Sequence, residues 1–123
     1  MNALPLDGRR VLIVEDEFLL ADDLSEALAD LGATVLGPAP TVAEALALLS
    51  AGAEIDGALL DVNLGGEKVF PVADALEAQG IRFVFTTGYE AASIPSRYQH
   101  VARFEKPANM NALVRAIGRE IGA

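Results

Sequence analysis

Apolar residues along this chain alternate between two patterns. Val11-Leu12-Ile13-Val14 is a short unbroken run, which suits a strand buried on both faces. Leu20, Leu24, Ala27, Leu28 and Leu31 then recur at helical spacing, and Gly32 supplies a stop. Thr34-Val35-Leu36-Gly37 reads as a second strand with a weaker pattern. Thr41 with Glu44 three residues on is a capping-box pattern. Behind it Val42, Ala45, Leu46 and Leu49 give a helix one apolar face that ends at Gly52. Ala58-Leu59-Leu60 is a third strand. After a Gly-Gly turn at Gly65-Gly66, Val69, Val72, Ala73 and Leu76 mark a third helix closed by Gly80. Phe83-Val84-Phe85 is the fourth strand, and Val101 to Phe104 is a short fifth. Between them, residues 89–100 are the least regular part, with a short helix at most. Asn109 caps a last helix whose stripe is Met110, Leu113, Val114, Ile117 and Ile121.

Strands that alternate with helices imply a parallel sheet covered on both faces. The expected architecture is an α/β three-layer sandwich of (βα)5 type, flavodoxin-like, with strand order 2-1-3-4-5 and a short or irregular fourth helix. No repeat, linker or low-complexity segment interrupts the alternation, so residues 1–123 read as a single domain with no output domain.

Composition narrows the classes of function. The chain has 123 residues, 52% hydrophobic and 22% charged, which suits a folded domain with a core of ordinary size. Eighteen acids against nine basic residues give a formal charge of −9, which argues against nucleic acid and anionic membrane as partners. There are no cysteines and one histidine, His100, so disulfide scaffolds, thiol catalysis and His- or Cys-based metal clusters are excluded. The N-terminus lacks the pattern of a signal peptide, and the apolar runs are far shorter than the roughly 20 residues of a membrane helix. A cytoplasmic location is the expectation.

In open parallel sheets ligands bind outside the carboxyl ends of the strands. Strand one ends in Glu15-Asp16-Glu17, strand three in Asp61, strand four in Thr86-Thr87-Gly88 and strand five in Glu105-Lys106-Pro107. Strand two ends in Gly37-Pro38 and adds no such group. Crowded carboxylates repel one another unless a cation neutralises them. An all-oxygen set with open water positions suits Mg²⁺. A carboxylate beside such an ion is a competent nucleophile toward phosphorus, and an amine and a hydroxyl nearby suit the remaining phosphoryl oxygens. Taken singly, each of these residues is an ordinary loop or turn residue. Their gathering at four strand ends is what points to a site. Glu17 reads as a solvated first-turn residue that favours the helix dipole, His100 as a surface residue, and Tyr89 and Tyr98 as either core or surface.

These residues resemble the receiver domain of two-component response regulators. The resemblance is carried by Val11-Leu12-Ile13-Val14-Glu15-Asp16-Glu17, Leu59-Leu60-Asp61-Val62-Asn63-Leu64, Thr87-Gly88 and Lys106-Pro107, and it spans about Arg10 to Ile121. It implies that Asp61 is the phosphoacceptor and that Thr87 and Lys106 bind the phosphoryl group. It implies Mg²⁺ held by Glu15, Asp16, Asp61 and the backbone carbonyl of Asn63, and a Lys106-Pro107 peptide that is cis. The implied donor is a histidine kinase or a histidine phosphotransfer protein, acting on a signalling domain that is not an enzyme. Phosphorylation would switch binding to an unnamed downstream protein. In that family helices 1 and 5 often dock kinases, and the face of helix 4, strand 5 and helix 5 often mediates dimers, so a homodimer is among the expectations.

Two positions depart from the family pattern. Gly65 stands where a proline is common, and the Gly65-Gly66 pair is expected to loosen that loop. Arg103 stands three residues before Lys106, where the family usually has an aromatic switch residue. Phe85-Thr86-Thr87-Gly88-Tyr89 resembles a subgroup, typical of alphaproteobacterial regulators, with a Phe-x-Thr-Gly-Tyr signature and an atypical fourth helix. The main alternative is a pseudo-receiver, an interaction module independent of phosphate. A haloacid-dehalogenase-type phosphatase also uses an Asp at a strand end, but it needs a second acid where Asn63 stands. A flavodoxin-like flavin binder needs a phosphate loop where Glu15-Asp16-Glu17 stand.

Overall fold

The computed structural model describes residues 4–88, 94–106 and 109–121. Along the chain run β1 (Arg10–Val14), α1 (Phe18–Asp30), β2 (Thr34–Ala39), α2 (Val42–Ser50), β3 (Gly57–Asp61), β4 (Asn63–Leu64), β5 (Glu67–Lys68), α3 (Phe70–Ala78), β6 (Arg82–Thr87), β7 (Arg103–Glu105) and α4 (Met110–Ile121). The five-stranded sheet has the order β2-β1-β3-β6-β7 with every pairing parallel. Counted among the sheet strands this is 2-1-3-4-5, the expected flavodoxin-like order, which the alternation supports but does not by itself fix.

Successive residues of a strand point to opposite faces, and here both faces are apolar. Leu12, Val14, Leu60, Phe83 and Phe85 pack toward Ala45 and Leu49 of α2 and Val72 and Leu76 of α3. Val11, Ile13, Leu59 and Val84 pack toward Leu24 and Leu28 of α1 and Leu113 and Ile117 of α4. Each Val, Leu, Ile or Phe among them, fully buried, is worth roughly 1.5–3 kcal/mol of transfer free energy. Thr41 Oγ1 accepts from the Glu44 amide at 3.1 Å, and Asn109 Oδ1 accepts from the Ala112 amide at 3.0 Å, so both expected caps are present.

Three details differ from the periodicity. The second strand runs on to Ala39, and the fifth begins at Arg103 instead of Val101. The Gly65-Gly66 turn carries two short strands of its own: β4 and β5 pair antiparallel, Asn63 with Lys68 and Leu64 with Glu67. Gly65 (φ 62°) and Gly66 (φ 98°) both adopt left-handed backbone, as a two-residue hairpin corner of the primed type requires. The glycine pair that reads as a loose loop therefore builds a tight corner, and Asn63 Oδ1 accepts from the Gly66 amide at 2.8 Å.

The connection between β6 and β7 contains, among its described residues, a single 3-10 turn at Ser96–Tyr98, in keeping with a short fourth helix. Tyr98 is 1% exposed, and its ring joins Phe70, Phe83 and Phe85 at centroid distances of 5.8–6.1 Å. Gly37–Pro38 is a cis peptide. The expected cis Lys106–Pro107 bond reaches outside the described residues.

Candidate functional site

The ladder registers assemble the site. Val14 pairs with Leu60 in β1–β3, so Glu15 and Asp61 are adjacent one step further on. Asp61 pairs with Thr86 in β3–β6, and Thr87 pairs with Glu105 in β6–β7. The Lys106 amide donates to the Thr87 carbonyl at 2.7 Å, which extends the same register by one residue. The four strand ends read from the sequence thus form one carboxyl edge.

Lys106 ties that edge together. Its Nζ lies 3.0 Å from Asp61 Oδ2, 3.1 Å from Glu15 Oε1 and 2.5 Å from Glu17 Oε2. Glu15 and Asp61 are buried, at 3% and 4% exposure. The Asn63 amide donates to Asp61 Oδ1 at 3.3 Å, and the Glu17 amide donates to Glu15 Oε2 at 3.1 Å. Asp16 is exposed, whereas Thr87 is buried, and its hydroxyl has no hydrogen-bond partner among the described residues.

Burial sets the electrostatics. It pushes the Glu15 carboxyl up to about 8, with the Asp61 carboxylate beside it acting in the same direction. Burial also raises Asp61, against hydrogen bonds from Glu15 and Lys106 that favour its ionised form. At Lys106 burial works against the charge, but hydrogen bonds to Glu17, Asp61 and Glu15 hold the ammonium well above its ordinary value. One ammonium thus stands against two buried acids that are costly to ionise together.

The donor set fits a hard divalent cation. Carboxylate oxygens of Glu15, Asp16 and Asp61 all lie within 4.8 Å of one another. Glu15 Oε1 is buried, with the Lys106 ammonium 3.1 Å away but no aligned hydrogen bond among the described residues, and the exposed Asp16 gives access from water. A second acidic group, Asp22, Asp23 and Glu26, is fully exposed on α1.

No protein-family profile matches the chain. A response regulator receiver protein from Sinorhizobium medicae WSM419 shares the fold, with a TM-score of 0.78 at 24% identity over 96% of this chain and 98% of that one. The phyllosphere-induced regulator PhyR of Methylorubrum extorquens is 31% identical over 110 residues, 85% of this chain and 41% of PhyR. The chain therefore spans less than half of that regulator. SdrG from Sphingomonas melonis Fr1 is 43% identical over 100% of both chains, with a TM-score of 0.79. A second structure, of the BeF3-activated conformation of SdrG from Pseudomonas melonis Fr1, is 46% identical over 94% of this chain and 95% of that one, with a TM-score of 0.71. This chain belongs to the response regulator receiver domains.

Receiver domains are signalling domains and not enzymes. In this receiver Arg103, at the position of the usual aromatic, is half-buried, and its Nη2 donates to Gln99 O at 3.0 Å and to Gln99 Oε1 at 3.1 Å. Gln99 Nε2 donates in turn to Ile94 O at 2.8 Å. A guanidinium thus ties β7 of the receiver to the turn before it. That turn is also fastened to α3: the Tyr98 hydroxyl donates to Asp74, and Arg97 pairs with the same carboxylate at 3.0 Å. Tyr89 of the subgroup motif lies outside the described residues.

Two contacts were not legible beforehand. Glu17 reads as solvated, yet its carboxylate reaches Lys106. The signal was its spacing: residue 17 is still extended (φ −81°, ψ 106°), so it follows Glu15 at the two-residue period of a strand. The Asp74–Tyr98 bond joins an exposed helix position to an irregular turn, and no periodicity links them.

Proposed function

We propose that this receiver is a phosphorylation switch in a two-component phosphorelay, with Asp61 as the acceptor. The observation that carries the reading is the Asp61 carboxylate, buried at a strand end and held by Lys106 at 3.0 Å with Glu15 beside it. The donor is a phosphohistidine of a kinase or phosphotransfer protein. The phosphorus–nitrogen bond breaks, a bond from an Asp61 oxygen to phosphorus forms, and the imidazole leaves with the electron pair and takes a proton. Lys106 offers an N–H to a phosphoryl oxygen, and the Thr87 hydroxyl, without a hydrogen-bond partner among the described residues, donates to another. Glu15, Asp16, Asp61 and the Asn63 carbonyl would hold Mg²⁺, which offsets negative charge on the transferring oxygens.

The exposed side chains of Phe18 and Leu19 support a protein donor, since they line a groove that Lys106 also lines. Phosphorylation adds about two negative charges. It then changes contacts of the 94–104 surface, through β6 and the ties of Arg103 and Tyr98, and so shifts binding to a downstream protein. SdrG has a BeF3-activated conformation, and the same chemistry is proposed here.

The test is phosphoryl transfer from a phosphorylated kinase in Mg²⁺, which Asp61→Asn should abolish. Arg103 in place of the usual aromatic favours one other reading, a pseudo-receiver that binds partners regardless of phosphate. Equal partner binding with and without fluoroberyllate would establish that alternative.

A further inference from the structure

Lys106 has three N–H donors, and three carboxylates take them. The closest partner is the least buried: the Glu17 side chain is 60% exposed, against 2% for Glu15 and 4% for Asp61. The position of Glu17 is set by the backbone. It caps α1 with extended geometry and its amide is bonded to Glu15 Oε2, so the carboxylates of residues 15 and 17 fall on one side of the chain.

A phosphoryl oxygen on Asp61 that takes an N–H from Lys106 must displace one of these partners. Glu15 is buried at the sheet edge, its side chain 2% exposed, and in the reading above its other partner is Mg²⁺ and not water. Asp61 is the group being modified. Glu17 alone can exchange the ammonium for hydration, and an ion pair with one exposed partner is cheap to open.

We propose that Glu17 is a positioning residue: it parks Lys106 beside Asp61 in the unphosphorylated receiver and releases it to the phosphoryl group. The proposal rests on Asp61 as the acceptor. Glu17 then competes with the phosphoryl oxygen for one ammonium, so weakening it favours the phosphorylated state. Charge and reach are separable, because Glu17→Gln keeps length and loses charge, whereas Glu17→Asp keeps charge and is one methylene too short.

The experiment compares the full chain, Glu17→Gln, Glu17→Asp and a control, Glu26→Gln on the exposed side of α1, in Mg²⁺. One arm titrates fluoroberyllate as the phosphoryl probe. Both Glu17 variants are expected to bind it roughly two- to fivefold tighter than wild type, with the control unchanged. The second arm measures acylation of Lys106 by an amine-reactive ester, with Lys68, the other lysine of the chain, as internal reference. Lys106 is expected to react roughly two- to fivefold faster in both Glu17 variants, since an amine held by one carboxylate fewer is freer to react. Unchanged acylation and affinity, or Glu17→Asp matching wild type in both, overturns the proposal. If fluoroberyllate binds none of the proteins, the acceptor reading of Asp61 fails, and acylation alone decides whether Glu17 tethers Lys106.

Discussion

Glu15 and Asp61 are neighbours because Val14 pairs with Leu60: each acid is the first residue past a matched apolar pair in adjacent parallel strands. The register of two hydrophobic strands thus places two carboxylates where neither is well solvated. Lys106 enters from the far side of β6, and its ammonium spans Asp61, Glu15 and Glu17.

Removing that ammonium should destabilise the metal-free protein. Lys106→Ala leaves two buried acids facing one another; a fully buried pair broken this way costs about 3–5 kcal/mol, and with the lysine side chain 20% exposed we expect about 1–3 kcal/mol. Urea denaturation followed by circular dichroism measures it. Added Mg²⁺ should recover much of the loss, because a divalent cation replaces the missing charge. Equal stability of variant and wild type without metal would contradict this account of the edge.

The raised Glu15 carboxyl makes metal-free stability depend on pH. Its value in the folded state is about 8, against 4.5 for the free group, so between those limits the folded protein holds a proton that the unfolded chain has released. Stability is therefore full below about 4.5 and falls as pH rises toward 8. Mg²⁺ needs the ionised carboxylates, so the stabilisation it gives should grow across the same window. Melting curves at pH 5, 6.5 and 8, with and without Mg²⁺, test both trends, and a metal-free stability that rises across this range would refute the assignment.

Tyr98 should hold the turn before β7 against α3. Burial and the hydrogen bond to Asp74 push its hydroxyl up to about 12. Tyr98→Phe keeps the ring in its aromatic cluster and loses that bond, at an expected cost of about 1 kcal/mol. The contribution is present below the ordinary tyrosine value of 10 and is lost as pH rises toward 12, so wild type and variant should converge in alkaline denaturation.

The parts of the fold legible in the sequence were those with a period. Leu12 and Val14 alternate with Val11 and Ile13 across the sheet, and Leu24 and Leu28 repeat along α1, because burial of one face or both leaves that imprint. The candidate site was legible for a related reason: acids, a hydroxyl and a lysine each stand within two residues of the end of an apolar run. Two-residue strands such as Asn63–Leu64 are too short to carry a period, so only their glycine corner was visible. Glu17 looked solvated because an acid in the first turn of a helix has a sufficient reason to be there; its lysine partner lies 89 residues away. Tyr98 could not be placed from the sequence because the turn around it has no repeat, and its burial follows from the Phe70, Phe83 and Phe85 rings of other elements.

The most direct test of the phosphoacceptor claim is the intact mass of the protein after incubation with Mg²⁺ and phosphoramidate, whose phosphorus–nitrogen bond imitates phosphohistidine. Wild type is expected to gain one phosphoryl group and to lose it on treatment with hydroxylamine, as an acyl phosphate requires, and Asp61→Asn to gain none. A phosphoryl group retained in Asp61→Asn, or wild-type protein that stays unmodified with this donor and with a phosphorylated kinase, would contradict that claim.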